Sequence, residues 1–310
     1  MIQLITSRPI TISLEQRVLL HLLRNNPHAH TAYFEPNSTN PTVTLETEEP
    51  NISQPQTAIT HIGPISLNWK KNPHPKNLLL TLPSTQATHG DPNCYPAPVP
   101  LGCQIQPNGK NWVGTAGAPI QFHDTLGYRH WGFITNAHVS AIPKNDRERR
   151  IHQPTDSKPH IGYTQIVAYP NPNSPNTLDV ALIDSKIASK HTTAWEILQI
   201  GKPAPTWTNA APGTKVMKYG RTTQLTHGNV TKTGVAAKIN YGSFTATFID
   251  LDLIENTQSP FSQPGDSGSI ILTQNTKQPT ALLFAGSTYT TLAIPIRNIA
   301  KNLKISFTPN

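Results

Sequence analysis

Residues 262–272 read SQPGDSGSIIL: Ser267 stands between two small turns, with an acid before it and an apolar run after it. Pro-Gly and Ser-Gly are turn dipeptides, and Ile270, Ile271 and Leu272 open a buried strand, so this stretch taken alone is a turn that enters a β-strand. A serine hydroxyl becomes a nucleophile only when a base takes its proton and a third group orients that base. The reading of the stretch therefore depends on a histidine and a buried carboxylate elsewhere in the chain.

The 310 residues include 25 Lys and Arg against 17 Asp and Glu, a formal charge of +8, with 14% charged residues, 36% hydrophobic residues and 30 prolines. Many strands and turns with few long helices fit that profile, and an all-β fold is the expectation. Basic residues are spread along the chain, and the one dense cluster, KNDRERR at 144–150, reads as a solvated loop. Neither an RNA-binding aromatic motif nor a zinc-finger spacing accompanies it, so an anion-binding or nucleic-acid-binding protein is a rival that rests on net charge alone. Cys94 and Cys103 are too few for a disulfide framework or a zinc site, which predicts no metal and free thiols by default, with a Cys94–Cys103 pair as the alternative in an oxidising compartment. The opening MIQLITSR lacks the layout of a secretion signal and no apolar run reaches the length of a membrane span, so the expectation is a soluble, cytoplasmic chain.

Residues 12–24 predict a helix: Ser13 and Gln16 can form a capping box, and Leu14, Val18, Leu19, Leu22 and Leu23 share one face. Short β-like runs follow at 42–45, 58–62 and 77–82. Residues 1–90 thus read as a small α+β element, and the Pro-rich stretch 83–100 as a linker, because proline denies a strand its ladder donors. From residue 101 strand candidates recur between turn signals, at 114–118, 130–135, 164–169, 180–183, 215–219, 228–231, 244–249, 269–272 and 281–284. That spacing predicts a sandwich or barrel, with 141–160 as a polar surface loop.

His138 ends the stretch WGFITNAH at 131–138, where an apolar strand runs into small residues, and Asp179 opens DVALI at 179–183, where a carboxylate enters a buried strand. Alone, each has an ordinary structural explanation, a satisfied core histidine and a turn acceptor, and Asp184 competes for the acidic role. A buried carboxylate nevertheless needs a partner, and an imidazole N–H would supply one.

Together, ITNAH at 134–138, DVAL at 179–182 and GDSG at 265–268 resemble the three catalytic motifs of the chymotrypsin-like (trypsin-like) serine proteases, in the order His, Asp, Ser. An α/β-hydrolase would need its histidine after the serine, and no histidine follows His227. Subtilisin order would need an acid ahead of His138, where Asp91 and Asp124 lie outside strong strands. The resemblance covers about residues 101–300, and YGRTTQLTHGNV at 219–230 with FAGST at 284–288 is most similar to bacterial and plant members.

That resemblance implies a chymotrypsin-like double β-barrel with a small α+β N-terminal extension: residues 1–90 as the extension, 91–200 as a first barrel carrying His138 and Asp179, and 201–310 as a second carrying Ser267. It implies a serine endopeptidase that needs no cofactor and acts on protein or peptide substrates. Ser267 would attack the scissile carbonyl, His138 would move the proton, and Asp179 would orient His138. The backbone N–H groups of Gly265 and Ser267 would form the oxyanion hole, where one donor contributes about 3–4 kcal/mol. Phe261 would lie at the base of the specificity pocket and Ala285, Gly286 and Ser287 along its wall. With Phe261 in place of an acid, uncharged side chains are expected at the cleavage site. Digestive relatives are activated when a new N-terminus inserts beside the acid that precedes the serine, here Asp266. Nothing near residues 90–105 resembles that cleavage site, so constitutive activity or control by residues 1–90 is expected, those residues also being the candidate surface for a homo-oligomer or a regulatory partner. The rival within this fold is a pseudoprotease that binds peptides without cutting them.

Overall fold

Ser13 caps the long helix as its spacing dictates: its Oγ accepts the N–H of Gln16 at 3.2 Å while Gln16 Oε1 accepts the N–H of Ser13 at 2.9 Å. Helix α1 (Leu14–Asn25) then buries Val18, Leu19, Leu22 and Leu23 along one face. The computed structural model describes residues 3–4, 12–35, 41–48, 57–60, 63–72, 76–77, 80–81, 94–124, 126–187, 190–256, 258–287 and 290–307.

The N-terminal region contributes β1 (Gln3–Leu4), β2 (Ala29–Phe34), β3 (Thr42–Thr47), β4 (Thr57–Thr60), β5 (Gly63–Lys71), β6 (Lys76–Asn77) and β7 (Leu80–Thr81). Next come β8 (Val99–Leu101), β9 (Gln104–Pro107), β10 (Trp112–Thr115), β11 (Pro119–His123), β12 (Arg129–Thr135) and the short helix α2 (Ala137–Ser140). They are followed by β13 (Arg150–His152), β14 (His160–Ala168), β15 (Val180–Asp184), β16 (Lys186–Ile187), β17 (Lys190–His191) and β18 (Thr193–Ile197). The last third holds β19 (Lys215–Gly220), β20 (Gln224–Asn240), β21 (Thr245–Glu255), β22 (Ile270–Thr273), β23 (Pro279–Gly286), β24 (Thr291–Pro295), α3 (Ile296–Asn302) and β25 (Ile305–Ser306).

Two barrels close from these strands. The first runs β12-β15-β14-β13-β9-β10. Its sixth strand bends: Ala116 N–H still bonds Cys103 O on the β9 side, whereas Gly117 N–H bonds Ile134 O, and β11 continues on β12. The second runs β19-β22-β23-β24-β21-β20 and returns to β19. Closure gives each barrel strand a partner on both sides over part of its length, and the N-terminal strands pair with what remains of β10, β20 and β23. One apolar core joins them, with Phe133, Ile134 and Leu182 from the first barrel and Phe248 and Phe284 from the second. β25 returns to the first barrel, pairing Phe122 with Ile305. All-β architecture in two closed six-stranded antiparallel barrels is the chymotrypsin-like fold that the motifs imply.

The N-terminal extension is an α+β element built onto the second barrel. Its sheet runs β2-β3-β5-β4, and β2 pairs with β20, Thr31 opposite Ala237 and Ala32 opposite Ala236. The apolar face of α1 covers this sheet together with Ala236 and Ile249 of the barrel, so the two regions share a core. Glu35 bonds Lys232 at 2.9 Å, and Lys238 Nζ donates to Ala29 O at 3.0 Å.

Most expected strands lie where alternation puts them, with differences that have local causes. β13 emerges inside the expected loop 141–160, because Ile151 alone faces the core between Arg150 and His152 and leaves no apolar run to detect. The basic cluster beside it is mostly exposed, yet Arg149 is tied down, its Nε donating to Thr164 O at 3.0 Å. β8 begins within the expected linker, while residues 83–93 lie outside the described ones, as do 61–62, 78–79 and 82 of the expected early strands.

Leu22 is 1% exposed in the shared core of α1 and β20. Leu22→Ala is expected to lower unfolding free energy by about 2–5 kcal/mol in urea titration.

Candidate active site

β12 and β15 are neighbours, Thr135 opposite Ala181, so the residues just beyond their ends are brought together. Asn136 Nδ2 donates to Asp179 O at 2.8 Å, and the chain turns into α2, which presents His138 to Asp179. Asp179 is fully buried. Its Oδ1 accepts the backbone N–H of His138 at 3.0 Å, and its Oδ2 lies 2.5 Å from His138 Nδ1. A carboxylate there makes Nδ1 the donor, which leaves Nε2 as a lone-pair acceptor. Nε2 is buried and has no hydrogen-bond partner among the described residues.

A third donor comes from a residue that no sequence signal distinguishes. Tyr241, in the turn between β20 and β21, donates its hydroxyl to Asp179 Oδ2 at 2.7 Å. Its ring meets His138 edge-on at 5.8 Å and stacks on Phe244 at 4.9 Å. Burial, then the negative charge of Asp179, pushes its phenol well above the ordinary tyrosine value, so it remains a neutral donor.

Ser267 sits in a loop organised by the acid before it. Asp266 Oδ1 accepts the N–H groups of Thr222 at 2.9 Å and Thr223 at 3.2 Å, and Oδ2 accepts Gln263 N–H at 3.0 Å and Thr223 Oγ1 at 2.7 Å. Lys218 Nζ stands 3.5 Å from the same oxygen, with both side chains fully buried. Burial pulls the Lys218 ammonium below its ordinary value and the charge of Asp266 opposes that pull. The acid that precedes Ser267 thus has the ammonium of an internal residue beside it. Gly268, at φ +96°, adopts a backbone conformation that L side chains avoid, and a Cβ there would lie 2.3 Å from both Thr115 O and Thr135 Oγ1.

Thr115 of the first barrel clamps this loop. Its N–H donates to Ser267 O at 2.8 Å and its hydroxyl to Gly265 O at 2.9 Å, while Thr135 Oγ1 donates to its carbonyl at 2.8 Å. Among the described residues, the N–H groups of Gly265 and Ser267 have no acceptor. The Ser267 hydroxyl donates to Phe284 O at 3.2 Å and is not bonded to His138. The structure thus joins His138 and Asp179 directly, and links Ser267 to the end of β12 through Thr115.

The expected pocket residues divide. Phe261 is 3% exposed in an apolar cluster with Val216, Val230, Ile254 and Ile271, and Lys218 Nζ lies 5.8 Å from its ring centre. Ala285 and Gly286 end β23, and Ser287 N–H bonds Thr290 O at 2.8 Å. Asp184, the competing acid, pairs with His130 at 2.9 Å on the far end of β12 and β15. Cys94 is exposed, Cys103 is buried, and no disulfide joins them. No described helix is long and apolar enough to cross a membrane.

No family model matches the chain, and no curated relative matches it. Among solved structures it is similar to a glutamic-acid-specific serine protease, at 18% identity and TM-score 0.48 over 67% of this chain and 99% of that one. It is likewise similar to a chymotrypsin of Cellulomonas bogoriensis, at 18% identity and TM-score 0.48 over 68% of this chain and 99% of that one. For protease A of Thermobifida fusca the values are 18% identity and TM-score 0.48 over 67% of this chain and 97% of that one.

His130 carries a pH consequence. The hydrogen bond that His130 Nδ1–H donates to Asp184 raises its affinity for a proton above the ordinary value of 6.5, burial opposes this and Asp124 adds to it. A raised histidine contributes stability that is full below pH 6.5 and is lost as pH rises through the folded-state value. His130→Gln is expected to flatten the fall in urea midpoint between about pH 6 and about pH 8, measured beside the unaltered protein.

Proposed function

We propose that this protein is a serine endopeptidase in which Ser267 is the nucleophile, His138 the general base and acid, and Asp179 the group that orients His138. The observation that carries the reading is the buried Asp179–His138 pair at 2.5 Å, which leaves Nε2 as an unused acceptor in the same site as a serine. Catalysis requires the Ser267 hydroxyl to give up its bond to Phe284 O and donate to Nε2 instead. Such bonds are often unmade before substrate binds.

In the reaction Ser267 Oγ attacks the substrate carbonyl carbon while Nε2 takes its proton. The unused N–H groups of Gly265 and Ser267 donate hydrogen bonds to the developing oxyanion, each worth about 3–4 kcal/mol in sites of this kind. Nε2 then protonates the leaving amine, an acyl-enzyme ester remains, and water activated by the same nitrogen releases it. Phe261, Ala285 and Gly286 supply no carboxylate to bind a cation, which favours substrates with an uncharged side chain at the cleavage site. The rival, a peptide-binding module without catalysis, draws on the Ser267 hydroxyl being held by Phe284 O.

Fluorophosphonate labelling with peptide mass mapping separates the two. Modification at Ser267, absent from Ser267→Ala and His138→Ala, is expected, and an unmodified Ser267 would sink the protease reading. Tyr241→Phe removes a hydrogen bond to a charged acceptor, a contribution of about 1.5–3 kcal/mol in general. The labelling rate is expected to fall roughly tenfold or more, and the thermal midpoint by several degrees. An unchanged rate would remove Tyr241 from the site.

A further inference from the structure

A cleft of about 360 Å³ opens where three parts of the chain meet, and none of His138, Asp179 and Ser267 lines it. Helix α1 and the turn after it border it on the side of the N-terminal extension, the loop at 172–175 borders it from the first barrel, and Lys238 of β20 with Thr247 of β21 borders it from the second. Lys238 and Thr247 stand opposite each other across the β20–β21 hairpin, so their side chains share one face of it. The volume lies in the range of small-molecule sites.

Its lining combines two kinds of chemistry. Leu20, Leu23, Pro27, Pro172 and Pro175 supply apolar surface, Arg24 and Lys238 supply two positive charges, and no acid lines the cleft. Lys238 Nζ is held by Ala29 O at 3.0 Å. Burial lowers its ammonium below the ordinary lysine value, and a negative charge beside it would oppose that loss of water. The loop that borders the cleft is already ordered by Asn176, which is 4% exposed. Its Oδ1 accepts Asn171 N–H at 2.7 Å, and its Nδ2 donates to Asn171 O and Ser174 O at 2.8 Å each and to Thr247 O at 3.1 Å. A wall formed in advance spares an occupant the cost of ordering it.

We infer that this cleft is a binding site for a small amphipathic anion, one acidic group carried on a hydrocarbon or ring body. Arg24 and Lys238 take the acidic group, and the leucines and prolines cover the body. A compact anion such as phosphate brings no surface for those apolar side chains, and a neutral hydrocarbon brings no charge for the two cations. The site stands apart from the reading of Ser267 as a nucleophile and holds whether or not the protein cuts peptides. Because α1 belongs to the extension and the other borders to the two barrels, an occupant ties the extension to them. Binding that requires the folded arrangement raises stability with ligand concentration.

Fluorescence titration of the full chain with anilinonaphthalene sulfonate, an anion on an aromatic body, tests this. One saturable site is expected, emptied by octanoate but not by octanol or inorganic phosphate at the same concentration, and octanoate is expected to raise the urea midpoint. Lys238→Gln is expected to weaken both anions about tenfold, since its ammonium is half-buried, and Arg24→Gln, at an exposed position, about two- to fivefold. The urea midpoint of Arg24→Gln without ligand is expected to match that of the unaltered protein, and this variant decides alone if Lys238→Gln does not fold. Absence of binding, or unchanged affinity in the variants, would overturn the site. Displacement by octanol as strong as by octanoate would show that charge is not read, and displacement by phosphate that the apolar body is not, and either would overturn the ligand class.

Discussion

A carboxylate removed from water must be surrounded by donors, since an isolated buried charge costs far more than folding can supply. Asp179 meets that requirement with the backbone N–H of His138, the imidazole Nδ1–H and the Tyr241 hydroxyl. Much of the arrangement follows from it. β12 and β15 must be adjacent to bring residues 138 and 179 together, the imidazole must present Nε2 outward, and the turn between β20 and β21 must reach from the second barrel to the first. The site is thereby a product of the interface between barrels and belongs to neither alone.

Asp266 imposes the same requirement one barrel over. Its four hydrogen bonds from Thr222, Thr223 and Gln263 and its contact with Lys218 fix the loop that carries Ser267. Lys218 is an internal residue of β19, so this contact joins the loop to the body of the second barrel. Thr115 then ties the two requirements together, bonding the loop with its N–H and hydroxyl and receiving Thr135 with its carbonyl. The extension adds pairs of its own to strands of both barrels, β6 to β23 and β7 to β10.

The sequence made part of this legible and hid the rest for identifiable reasons. Ser267, His138 and Asp179 each sit at the end of an apolar run, a pattern that local reading can find, and Ser13 with Gln16 marks its helix in the same way. Tyr241 stands 62 positions from Asp179, and its role exists only once two hairpins meet. The 17-residue β20 showed itself only at 228–231, because register shifts and Gly234, at φ +69°, break its alternation. β6 and β7 pair with strands far along the chain, Asn77 with Ala285 and Leu80 with Val113, and nothing in the local sequence announces such partners.

The central claim is that Ser267 acts as a nucleophile served by His138 and by the N–H groups of Gly265 and Ser267. A crystal structure of the protein after reaction with a fluorophosphonate tests it in one measurement. The account predicts phosphorus bonded to Ser267 Oγ, a phosphoryl oxygen within hydrogen-bond distance of both N–H groups, and His138 Nε2 facing the adduct. An unmodified Ser267 still bonded to Phe284 O, or an adduct whose oxygen points away from those N–H groups, would contradict it.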